Sequence, residues 1–108
     1  MGFISYDGWT VEFEDRLLSH LHMVIMQRFR NHESFAMSWV NAVETGDGRG
    51  SIWLHPTVHI AFRFDGSRIP SMNTEWLETL TLSAKSSQGL IVTNEDGQLA
   101  RSQSIHRT

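Results

Sequence analysis

The chain has 108 residues, 40% of them hydrophobic, with twelve acidic against nine basic side chains and a net charge of −3. That length suits one domain with its own core, burying roughly two-thirds of the surface an extended chain exposes. The acidic balance argues against a nonspecific nucleic-acid binder working by counterion release, and the absence of cysteine excludes disulfides, thiolate metal sites and cysteine nucleophiles.

The first residues, Met1 to Tyr6, have neither the basic start nor the long apolar run of a secretory signal. No run approaches the roughly 18 apolar residues of a membrane span. A cytoplasmic chain without membrane contact is therefore expected. Phe3 to Tyr6 and Trp9 to Phe13 flank Asp7-Gly8, a type I′ turn signal, and read as a β-hairpin. Leu18, Leu21, Val24, Ile25 and Phe29 then recur at helical spacing. Asp15 is the expected N-cap of that helix, and Asn31 the left-handed residue closing it.

The stretch from Ser34 to Phe64 holds three apolar, aromatic-rich runs, cut by Gly46-Asp47-Gly48-Arg49-Gly50 and by Pro56. They read as neighbouring antiparallel strands. Phe35, Met37 and Trp39 alternate with smaller residues, and Val58, Ile60, Phe62 and Phe64 make a buried face opposite Thr57, His59, Ala61 and Arg63. Asn73 caps a second helix over 74–88, with Trp76, Leu77, Leu80 and Ala84 as its apolar stripe and Gly89 as its stop. Leu90 to Thr93 reads as a last strand. Residues 1–96 thus form one domain of order ββαβββαβ, an α+β fold with a mainly antiparallel sheet and both helices on one face. Residues 97–108 form a polar, flexible tail, with only Leu99, Ala100 and Ile105 to bury.

The candidate binding residues are Arg49, Trp53, His55, His59 and Arg63. The glycine loop around Arg49 offers backbone N–H groups to an anion, but it lacks the Lys-Ser/Thr of a Walker loop and joins two strands. His55 and His59 share a strand face only if Pro56 leaves the chain straight, and no third ligand lies near, so no metal is assigned. His20 and His22, two apart on a helix, point away from each other and cannot share one. Arg63 and His59 face one way, and Arg with Trp on a sheet suits phosphate, nucleic acid or an acidic peptide. Serines abound, but no Gly-x-Ser-x-Gly elbow or triad pattern accompanies them. No catalytic residue and no cofactor is assigned.

Several segments together carry a resemblance. They are Asp15 to Leu21, Glu33 to Trp39, Gly48 to Pro56, Phe62 to Gly66 and Asn73 to Leu80. Over residues 1 to about 95 the chain resembles a family of small uncharacterised actinobacterial proteins, often labelled ATP-dependent DNA ligase. Such ligases carry their adenylate on the lysine of Lys-x-Asp/Asn-Gly, whereas the single lysine here, Lys85, precedes Ser86-Ser87-Gln88. The resemblance therefore implies no catalytic residue, only a DNA-related setting. The expected function is a non-enzymatic interaction module that binds a protein partner or itself as a homodimer. The alternative is an accessory protein binding nucleic acid or nucleotide through Arg49, Arg63 and nearby aromatics; least supported is a small enzyme using His55 or His59.

Overall fold

Asp7 and Gly8 both take positive φ, 49° and 83°, the signature of a type I′ turn, and they join β1 (Gly2–Tyr6) to β2 (Trp9–Phe13) as the sequence predicts. The computed structural model describes residues 1–43, 46 and 48–107. Asp47 of the glycine loop and the terminal Thr108 lie outside the described residues. After the hairpin come α1 (Asp15–Arg30), β3 (Phe35–Val40), β4 (Arg49–Leu54), β5 (Ile60–Arg63), α2 (Thr74–Lys85), β6 (Leu90–Ile91) and β7 (Ser104–Arg107). The α+β class and the order ββαβββαβ hold, with β7 added at the end.

The strands divide into two sheets. One runs β5-β1-β2-β7 and the other β4-β3-β6. β3 and β4 pair antiparallel, with Met37 opposite Ile52, as neighbouring runs should. The third run does not continue that sheet. The chain turns at 55–58, where the Val58 N–H donates to the His55 carbonyl, and β5 crosses to pair with β1. The Tyr6 hydroxyl accepts from the His55 N–H and ties that turn to the first sheet. The expected alternation in β5 survives the move: Val58, Ile60, Phe62 and Phe64 are half-buried against the core, and His59, Ala61 and Arg63 are exposed.

Both helices are amphipathic for the predicted reason. Leu17, Leu18, Leu21, Val24 and Ile25 of α1 are buried, as are Trp76, Leu80 and Ala84 of α2. α1 packs on α2 and β1, and α2 on β6 and β3. The core spans both sheets, with Phe13, Met37, Leu54, Leu90 and Val92 fully covered.

The cap expectations divide. The Asn73 side chain accepts from the Trp76 N–H, as predicted, although α2 stops at Lys85 rather than 88. Glu14, not Asp15, is the N-cap of α1 and makes no side-chain cap bond. Asn31 keeps φ at −89°, and His32 takes the left-handed turn at 58°.

Residues 97–107 are not a loose tail. The Ala100 N–H donates to Val92 and the Ser102 N–H to Val40, and both side chains are completely buried. β7 then pairs antiparallel with β2, Val11 opposite Ile105. Backbone hydrogen bonds hold a segment whose sequence offers little apolar area.

Candidate functional site

The five sequence candidates do not gather at one point. Arg49 is the first residue of β4 rather than part of a loop, and it shares the outer face of the three-stranded sheet with Ser51 and Trp53. Trp53 is 62% exposed there. Arg63 belongs to the other sheet, where its guanidinium lies 5.8 Å from the centre of the Phe3 ring. His55 sits in the turn between the sheets, its Nδ1 within hydrogen-bonding distance of the Thr57 hydroxyl at 2.7 Å. His59 is exposed one residue before β5. Among the described residues no three His, Asp or Glu side chains come together as a metal set would require.

A sizeable concavity lies elsewhere, along α1. It is a cleft of about 630 Å³ between the N-terminal half of that helix and the segment 64–72. Met23, Phe64, Ile69, Pro70 and Met72 give it apolar walls. Ile69 is 88% exposed and Met23 47%, so two large apolar side chains stand in water at its edge. Arg68 is exposed on the same rim. Its size is that of a small-ligand or side-chain pocket.

The polar groups around this cleft hold it in shape. The Asp15 carboxylate accepts from the backbone N–H groups of Asp65 and Gly66 at 3.1 and 2.8 Å, pinning the far wall to α1. The Gly66 bond is the main reason its acidity is strengthened, and the Asp65 bond and the chain's N-terminal ammonium act in the same direction. Arg16 donates to both oxygens of Glu95 and to the Ser71 carbonyl at 2.9 Å. That bidentate pair raises the Arg16 pKa and, with a bond from Asn73, pulls Glu95 down to about 2. His22 packs edge-on against Phe62 and Phe64, 4.7 and 5.8 Å between ring centres, and burial lowers its pKa. Sequence reading missed this cleft because 64–72 has no periodic pattern. Only the out-of-place Ile69, between Arg68 and Pro70, signals it.

Two pH steps follow from these groups. Glu95 has a depressed pKa, so its pair with Arg16 stabilises fully above the usual value of 4.5, and the contribution fades as pH falls toward about 2. The His22 pKa is lowered too, so the unfolded chain binds its proton first, and stability declines as pH drops below 6.5. Urea unfolding across pH 2–7 is expected to show both declines. Asp15, whose pKa is also lowered, adds to the lower decline. Glu95→Gln should therefore reduce that decline without abolishing it, and His22→Gln should flatten the upper; unchanged slopes in both variants would refute the assignment.

A family model described as a domain of unknown function, DUF7882, matches residues 1–95, from β1 through β6. No curated protein and no solved structure matches the chain.

Proposed function

We propose that this chain, which belongs to the DUF7882 family of domains of unknown function, is a non-enzymatic interaction module of the cytoplasm that seats an apolar segment of a protein partner in the cleft along α1. The carrying observation is the pair of exposed apolar side chains, Ile69 and Met23, beside a cleft walled by Phe64, Pro70 and Met72. Large apolar groups left in water at a concave surface mark contact sites, and methionine adapts to varied partners. The titratable groups nearby favour docking over chemistry. Asp15, Arg16 and Glu95 spend their hydrogen bonds on the scaffold, and His22 lies against two phenylalanines. A general acid or base needs a free face toward its substrate. Arg68 on the rim would favour an acidic residue next to the partner's apolar anchor.

Selection of a displayed peptide library on the immobilised chain tests this. Enriched peptides are expected to carry an apolar anchor with a neighbouring acidic residue, and to lose at least about tenfold in affinity to Met23→Asp and Ile69→Asp. Trp53→Ser, on the opposite sheet, should bind them unchanged. Enrichment that ignores Met23 and Ile69, or no apolar enrichment, would overturn the reading.

A further inference from the structure

The geometry points to a second binding surface, the free edge of β4, whose occupant is β4 of another copy of this chain, paired antiparallel about a two-fold axis at Ser51. The direction of the backbone groups comes first. The Asn41 N–H donates to the Gly48 carbonyl at 2.7 Å, continuing the β3–β4 ladder by one pair. Alternate pairs in an antiparallel ladder exchange hydrogen bonds, so Gly50, Ile52 and Leu54 direct their N–H and C=O groups to β3. β3 agrees from its other side, where the carbonyls of Ser38 and Val40 accept from Val92 and Ser102. Arg49, Ser51 and Trp53 therefore aim their backbone groups away from β3. Among the described residues β4 pairs only with β3. Between Arg49 and Leu54 there is no Pro, Lys or bulge to blunt the edge.

The side chains say which strand fits. The chain twice places an arginine over the aromatic ring directly opposite it in an antiparallel pair. Arg63 faces Phe3, and Arg107 faces Trp9 at 5.4 Å. β4 carries the same two residue types on one exposed face, but inside the chain Arg49 faces Val40 and Trp53 faces Ala36. An antiparallel β4–β4 seam centred on Ser51 sets Arg49 of each copy opposite Trp53 of the other. It also satisfies every outward N–H and C=O of Arg49, Ser51 and Trp53. Both cation–π pairs and the backbone ladder arise from one symmetric operation. The edge borders an open cleft of about 380 Å³ lined by Trp9, Trp39 and Ile105, so it is not sealed by the other sheet. The Tyr6 hydroxyl on the His55 N–H closes the edge beyond Leu54 and limits the seam to β4. So short a seam buries less than the roughly 1,600 Å² of a standard interface, and the dimer is expected to be a weak one.

The absence of cysteine makes the register directly testable. Opposed residues of a hydrogen-bonded antiparallel pair have Cα atoms about 5.5 Å apart, within disulfide reach. Under mild oxidation Ser51→Cys is expected to form a covalent homodimer. Arg49→Cys mixed with Trp53→Cys should cross-link to each other, while neither should cross-link alone. Leu82→Cys, exposed on α2 and off the seam, should not cross-link. In sedimentation equilibrium the cysteine-free chain should dimerise, and Trp53→Arg should raise the dimer dissociation constant about tenfold. A dimer that Ser51→Cys fails to trap, cross-linking of Leu82→Cys to the same extent, or a monomer throughout would each overturn the seam. Peptide binding in the α1 cleft would be untouched by any of them.

Discussion

Replacing His20 by Ala is expected to cost about 3–5 kcal/mol, a large part of the stability of a domain this size. His20 is completely buried, and both ring nitrogens are committed. Nδ1 donates to the Arg16 carbonyl at 2.8 Å, and Nε2 accepts from the Asn73 N–H at 3.0 Å. That pattern describes the neutral ring with its proton on Nδ1. The face of the ring lies on Trp76, 4.2 Å between centres. Ala would leave a cavity against Trp76 and orphan the N–H of the residue that caps α2. Urea unfolding measures the loss, and hydrogen exchange should show the first turn of α2 opening first. His20→Gln, which can keep one donor and one acceptor, should cost distinctly less. A loss under about 1 kcal/mol for His20→Ala would show that the α1–α2 contact does not depend on this ring.

Gly89→Ala is expected to cost about 2–4 kcal/mol. Gly89 has φ of +79°, and a Cβ there would lie 2.5 Å from the Ala36 carbonyl oxygen, a backbone atom of the central strand. The left-handed conformation costs an alanine about 1 kcal/mol, and separating β6 from β3 costs the remainder. Gly97 separates the two terms. Its φ is +88°, but beyond its chain neighbours no atom stands within 4 Å of its added Cβ, so Gly97→Ala should cost only about 1 kcal/mol. The midpoint in urea reads both, provided the slope is unchanged. Equal losses at the two glycines would remove the steric argument.

What the sequence made legible was local. The Asp7-Gly8 turn, the apolar stripe of α1 and the Asn73 cap each act within a few residues, and each stands where its pattern places it. Partner choice was not legible. Val58 to Phe64 shows a correct two-residue alternation, but alternation says nothing of whether β5 pairs with β4 or with β1. Asp15 fits a cap by residue type, yet its carboxylate serves Asp65 and Gly66, fifty residues on, because the 64–72 segment folds back over α1. Residues 97–107 look unstructured by composition because backbone bonds and scattered side-chain contacts from Arg101, Ser104 and Arg107, rather than an apolar stripe, attach them. The same holds for function. Arg49 and Trp53 were identifiable as unusual, but their shared face and the outward turn of their backbones depend on register, which no spacing rule supplies.

The pairing of β7 with β2 sets a timing constraint. The four-stranded sheet takes its β7 edge from residues 104–107 and seats it beside β2, where Glu12 and Ser104 lie 92 positions apart. During translation the β1–β2 hairpin and α1 emerge well before β7, yet β2 keeps an open flank until residues 104–107 have followed. Closing so long a loop is entropically slow, and it comes last. The nascent domain therefore carries a bare strand beside Val11 until β7 has emerged, and the four-stranded sheet is completed only then.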